Sequence, residues 1–413
     1  MSRNQPESLG AAAIRPIREP VQLNWQRMNT IGGVLIIVGL IGFVGGLVTG
    51  NAQRVWLTWL VSWLFFMSIA QGGVVMSAAF YLVQGRWAGS LHYKLAQSFW
   101  LFLPLGVILF AGVAIGRDNI FPWIAHPAEG KEGWLNAPFL ITRDWIAIII
   151  LTVLSWLLVT WSREPEAIAW QRDPRTIEMP PRGLRRLAPA VGIVYCVVFT
   201  LLAFDLIMSL SPQWHSTLFG WWFFETAFWV SIVAIAFVVV QFARALPAGN
   251  AFSRPELRHD VGKMVFAFSI FWIYLGFAQY LVIWYGDIPT ETFFILVRFW
   301  HYPWAILSWI PVFFIWVIPF TFLMGVRPKK SLAILGTVAT LGLIGVWILI
   351  YIMVVPSWTP NHLPLGWVEI CVAAGFLGAF IFASVPGLKR VAEEAIVLGP
   401  SVYQSHGTHG ETV

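Results

Sequence analysis

The sequence predicts an all-α integral membrane protein of about ten transmembrane helices, and three observations carry that expectation. Of its 413 residues, 58% are hydrophobic and only 11% are charged, where a soluble domain carries about 25% charged residues. Ten apolar stretches reach the ~20 residues that a helix needs to cross the hydrocarbon core. The basic residues between those stretches fall almost wholly on one side.

In chain order, a polar tail at 1–28 carries Arg3, Arg15, Arg18 and Arg27 and has no apolar core, so no signal peptide is read there. The first helix is expected at 29–49. The second, 55–83, leads to a short loop with Arg86 and Lys94. The third, 95–116, and the fourth, 139–161, flank a longer loop on the opposite side. Six arginines in 162–186 precede the fifth helix, 187–210. A tight turn at Ser211-Pro212 leads into the sixth, 216–243. Arg244, Arg254, Arg258 and Lys263 fall around the start of the seventh, 260–284. The eighth, 302–326, stops before Arg327, Lys329 and Lys330, and the ninth is 331–355. The tenth, 365–385, runs into a tail at 386–413 with Lys389 and Arg390. The other side holds only Arg54, Arg117, Lys131, Arg143 and Arg298. A split of 21 to 5 is a positive-inside pattern, so both termini are expected in the cytoplasm. The net charge of +6 is read as this orientation signal, and no nucleic-acid partner is expected.

The 25 tryptophans are expected at the membrane interfaces. Cys196 and Cys371 sit far apart in apolar runs, with no CxxC or CxxCH. Covalent c-type haem and cysteine-ligated clusters are therefore excluded within this chain, no disulfide is expected, and no metal site is read. Haem b would need pairs of histidines at mid-membrane depth on facing helices, and none is placed so. In the eighth helix, Pro303 suits a helix start, while Pro311 and Pro319 remove interior backbone donors and should kink it.

Two stretches concentrate groups that could carry chemistry. The first is FDLIMSLSPQWHSTLFGWWFFE, residues 204–225. A carboxylate as deep as Asp205 costs ~2–3.5 kcal/mol if it faces lipid, so it should turn into the bundle beside Ser209. It is either a proton acceptor or a hydrogen bond closing the bundle end. Glu225 lies deeper than a capping acid, and His215, at the water boundary, could pass a proton outward. Together the three are expected to form an outer half-path through one shared pocket. Asp144 and Glu369, early in the fourth and tenth helices, read as helix N-terminal charges favoured by the dipole. The second stretch is YLGFAQYLVIWYGDIPTETFFILVRFWHYPW, 274–304. Gln279 and Tyr280 suggest an interior polar track. Tyr285, Asp287, Glu291, Arg298 and His301, with Trp214, suit either a quinone headgroup or another subunit. Gln71, Tyr81, Tyr195 and Thr200 mark an inner half-path or local helix contacts. The layouts of 201–225 and 348–369 are alike: a helix end, a Pro/Trp/His turn, then a helix with an early acid.

FDLIMSLSPQWHSTLFG followed by FAQYLVIWYGDIPTET resembles the NrfD/PsrC-like membrane subunits of bacterial alternative complex III, a quinol:electron-acceptor oxidoreductase, and in particular the ActF type. The resemblance spans about the second helix to the tenth. It implies two four-helix bundles, helices 2–5 (55–210) and 6–9 (216–355), with helices 1 and 10 outside. It also implies the bacterial inner membrane, a respiratory or photosynthetic electron-transport chain, and a multisubunit complex. The partners would be an ActC-like sister subunit, lipids, and an iron–sulfur protein and multihaem cytochrome c on the periplasmic side. Haems and clusters would lie in those partners, with menaquinone or another quinone as the mobile carrier. Asp205, Ser209, Trp214 and the IPTET loop are the matching positions. Ser211 stands where the motif commonly has an acid, and Gln213 where it commonly has histidine. The alternatives are the ActC-like quinol-binding sister, a purely structural anchor, and a secondary transporter, whose sites lie at the midplane and not near one face.

Overall fold

The computed structural model describes residues 23–85, 89–172, 179–247 and 249–398. Most of the expected tails, 1–28 and 386–413, lies outside them. Among the described residues the chain is all helix, and nine helices are long and apolar enough to cross a membrane. This is an all-α, multi-pass membrane architecture.

α1 (Trp25–Val48) starts at Asn24, whose side chain accepts the Arg27 N–H at 2.9 Å. α2 (Ala52–Leu82) follows as a single long span. The third expected span is broken: α3 (Ser90–Ala96) and α4 (Phe102–Ile115) are separated by turns. Pro104 explains the break, because it has no N–H to bond back into the preceding turn. α5 (Arg117–Ile120) and α6 (Pro122–Ala125) are single turns in the next loop. α7 (Ala137–Trp161) is capped by Asn136, and α8 (Pro165–Arg172) lies beyond its end. α9 (Arg182–Leu206) closes in a 3-10 turn, Met208–Leu210, before α10 (Thr217–Ala245).

α11 (Pro255–Gly286) ends at Asp287 in the left-handed conformation. α12 (Pro289–Phe299) fills what the sequence leaves as an outer loop. α13 (Trp304–Pro311), a π-helical segment at Val312–Val317 and α14 (Ile318–Phe322) make one span. The wide turn lies between Pro311 and Pro319, and it absorbs the backbone bonds that prolines cannot make. α15 (Val326–Lys330) precedes α16 (Leu332–Val354), which ends in a 3-10 turn at Val355–Ser357. α17 (Trp367–Leu398) runs past the expected boundary at 385.

α2 and α10 pack side by side at the centre and are the most buried spans. α4, α7 and α9 complete one four-helix group around α2. α11, α13–α14 and α16 complete the other around α10. α1 lies along α17 at the periphery, where a Cβ on Gly39 would fall 2.3 Å from the Gly375 Cα. Only glycine permits that approach.

In lipid no hydrophobic drive favours helix pairing, so close packing and interhelical hydrogen bonds must hold the groups together. Indole N–H groups supply several of those bonds. Trp63 donates to Gly106 O at 2.8 Å, Trp145 to Val107 O at 3.1 Å, and Trp229 to Val265 O at 3.0 Å. The interface expectation for tryptophan is thus too simple. Trp63, Trp170, Trp214, Trp229 and Trp304 are among the largest fully buried side chains.

Candidate functional site

Asp205 sits in the last turn of α9 and is fully buried. Arg143, on α7, grips it with two bonds, Nε to Oδ2 at 2.7 Å and Nη2 to Oδ1 at 2.6 Å. Trp134 donates its indole N–H to Oδ1 at 2.9 Å. The same guanidinium lies 3.8 Å over the Trp134 ring and donates to the Trp134 carbonyl at 3.1 Å. This fork is the strong, geometrically specific form of a charge pair. It also answers the cost of placing an acid here, because the charge faces a cation and not lipid.

Asp144 follows Arg143 directly and is equally buried. The capping role expected for it is taken by Asn136, whose side chain accepts the Phe139 N–H at 3.3 Å. No donor among the described residues reaches either oxygen of Asp144. Its charged neighbours are Asp205 and Arg143, which act on it electrostatically. Two buried acids thus lie near one arginine, which bonds only Asp205.

Above this pair is a cavity of about 300 Å³, lined in part by Lys131, Trp134, Ser209 and Pro212. Trp134 lines this cavity, is half exposed, and carries the indole that bonds Asp205. Ser209 lines the cavity, but its hydroxyl donates to the backbone carbonyl of Asp205 at 2.5 Å and not to the carboxylate.

Glu225 does not join this site. The Tyr195 hydroxyl donates to Phe224 O at 2.5 Å, which sets Glu225 level with Tyr195. Asp205 lies ten residues further along α9, so at ~1.5 Å per residue the two acids are separated by roughly 15 Å in depth. The shared pocket expected for them is not formed. Glu225 is buried, with no hydrogen-bond partner for either oxygen among the described residues.

Other buried polar groups form islands deeper in the first group. Gln71 donates to Ser155 Oγ at 2.8 Å. Near the far end, Gln97 donates to Ser77 and Ser162 at 3.2 and 3.1 Å, and Gln171 donates to the Tyr81 hydroxyl at 2.5 Å. Thr200 packs against Gly220, where a Cβ would fall 2.4 Å from its methyl.

The two stretches singled out in the sequence meet at the Asp205 end. His215 is exposed, and its Nε2 lies 3.7 Å from Glu291. Trp214 is buried and stacks on Phe294 at 3.6 Å between ring centres. Arg298 covers the opposite side of this pair, 3.5 Å from the Phe294 ring. It is buried and donates to Ile352 O at 3.1 Å, Met353 O at 2.9 Å and Ser357 Oγ at 3.1 Å. Tyr285, Asp287 and His301 are exposed and stay outside this cluster.

The alike layouts of 201–225 and 348–369 have a physical counterpart. Each ends its first helix in a 3-10 turn, and the turns touch through Ser211 and Ser357 at 3.1 Å. An arginine closes each helix end, half-buried Arg143 in one and buried Arg298 in the other, but by different means. Arg143 binds a carboxylate, whereas Arg298 binds bare carbonyls. Glu369 differs from Glu225: it accepts the Gly366 N–H at 2.8 Å, as a cap does, and pairs with Arg54 at 2.7 Å.

Gln279 and Tyr280 border a second cavity, about 330 Å³, among α10, α11, α12 and α13. Its lining is mostly aromatic. Two buried polar atoms in that lining, Gln279 Oε1 and Trp222 Nε1, have no hydrogen-bond partner among the described residues. Sequence reasoning misses Arg143, Trp134 and Trp222 as site residues. The adjacent Arg143-Asp144 within an apolar run is the signal that could have found the first.

No protein-family model matches the chain, and no curated protein matches it.

Proposed function

We propose that the chain is a membrane subunit of a quinol:electron-acceptor oxidoreductase of the alternative complex III type, in which Asp144 and Asp205 exchange protons near one membrane face. The observation that supports it is two neighbouring buried carboxyls beneath a cavity, Asp205 gripped by Arg143 and Asp144 without a partner among the described residues. A proton between two acids can leave toward the cavity once Trp134 swings aside, and Arg143 stabilises the charge left behind. The resemblance of the two motifs supplies the redox context. Electrons would pass through clusters and haems of partner subunits, and the aromatic cavity at Trp222 and Gln279 suits a quinone ring. The Trp222 indole N–H would donate to a quinone carbonyl, and Gln279 Oε1 would accept from a quinol hydroxyl.

A structural anchor is the second reading, and the bidentate Arg143–Asp205 bond favours it. Asp144 separates the two, because it accepts no bond from any described donor and so anchors nothing. In the intact complex, Asp144→Asn and Asp205→Asn are each expected to lower quinol-driven turnover and proton release by about 100-fold, as loss of a proton-transfer group does. Unchanged turnover and proton release in Asp144→Asn would leave only the anchor.

A further inference from the structure

At the end of the bundle away from Asp205, a third cavity of about 460 Å³ opens between α3, the end of α7, α8 and α17. Its charged groups are unevenly matched. Lys94 pairs with Glu394 at 2.5 Å, and Ser90 also donates to Glu394 at 3.2 Å. Glu393 is exposed and faces Lys389 at 3.9 Å. Arg163 and Arg390 line the same cavity, and neither has an acid within ion-pair distance among the described residues. Arg163 lies 5.6 Å over the Trp100 ring instead. Arg163 and Arg390 are both exposed at the cavity rim. Two guanidinium groups have thus been brought to one cavity whose two acids, Glu393 and Glu394, are paired with lysines instead.

Their depth says what the anion is. Arg390 lies 23 residues beyond Trp367, the start of α17. At ~1.5 Å per residue that is roughly 35 Å along the helix, just over one hydrocarbon thickness. Arg163 follows α7 by two residues, after a span of 25. Both guanidiniums therefore emerge at headgroup level. Guanidinium forks match phosphate oxygens in pairs, and Ile168, Val391 and Val397 give the same cavity an apolar wall.

We propose that this cavity binds the phosphate of an anionic phospholipid, with Arg163 and Arg390 as its two cationic donors. Basic pockets between transmembrane helices favour such headgroups. The site is independent of the redox reading, because it uses neither Asp144, Asp205 nor the aromatic cavity.

The test is native mass spectrometry of the full chain, delipidated in detergent and titrated with dioleoylphosphatidylglycerol, dioleoylphosphatidylcholine or inorganic phosphate. The first phosphatidylglycerol is expected to bind roughly thirtyfold tighter than the first phosphatidylcholine, the factor that two arginines contribute near an anionic surface. The Arg163→Gln/Arg390→Gln variant should bind both lipids alike, and the Arg163→Lys/Arg390→Lys variant should recover part of the preference. Equal wild-type binding of the two lipids would overturn the proposal, as would a glutamine variant that keeps the preference. Displacement of phosphatidylglycerol by millimolar inorganic phosphate, which itself stays bound, would overturn the lipid assignment and show a soluble anion. Should the glutamine variant not fold, the wild-type lipid comparison and its loss on adding salt still decide.

Discussion

Arg143→Ala is expected to lower the unfolding free energy by about 3–5 kcal/mol, the cost of breaking a buried charge pair by removing one partner. Among the described residues Arg143 is the only cation bonded to Asp205, and its loss leaves two neighbouring buried acids, Asp144 and Asp205, without compensation. It also removes the bond to the Trp134 carbonyl and the contact with the Trp134 ring, which hold that loop over the site. Arg143→Lys should rescue little, because one ammonium cannot reproduce two parallel bonds. The check is a double-mutant cycle with Asp205→Asn, read by unfolding in mixed micelles. With a neutral side chain at 205, removal of Arg143 should cost far less. Additive losses would mean that Arg143 acts through packing and not through the carboxylate.

Arg298→Ala should cost about 3 kcal/mol or more. Arg298 is buried and donates four hydrogen bonds, to Phe294 O, Ile352 O, Met353 O and Ser357 Oγ. Bonds from a charged donor contribute ~1.5–3 kcal/mol each, and the carbonyls left behind are buried. Arg298 also sits at the C-terminal end of α16, where a cation is favoured by the helix dipole. The local signature is faster amide exchange across 350–358, where the freed carbonyls terminate the helix. Wild-type exchange there together with wild-type stability would contradict the assignment of Arg298 as the clamp on that end.

The architecture was legible because lipid makes composition and length decisive. Each expected span has a helix, and the exception, 95–116, is broken at a point that Pro104 explains. α12 was missed because PTETFFILVRF is short and mixed, and reads as a loop between longer apolar runs. Asp205 was legible from cost alone, since an acid so deep must find a partner. Its partner was not, because Arg143 was counted only as a charge on the sparse side. Asp144 was misread as a dipole charge, since the sequence places it early in a helix without showing which face it takes. The depth of Glu225 could have been counted: an antiparallel pair turning at Ser211 sets Asp205 opposite the start of α10, two turns short of Glu225. The aromatic cavity was not countable, because Trp222 and Gln279 come together only through the packing of α10 on α11.

The most direct test of the proposed proton exchange is infrared spectroscopy of the purified complex in the carboxylic-acid stretch region, in water and in heavy water, for wild type, Asp144→Asn and Asp205→Asn. A protonated-carboxyl band that shifts in heavy water is expected in the wild type, altered or lost in each variant, and perturbed when the complex turns over quinol. A wild type without such a band, or one that is identical in both asparagine variants, would contradict a proton held between Asp144 and Asp205.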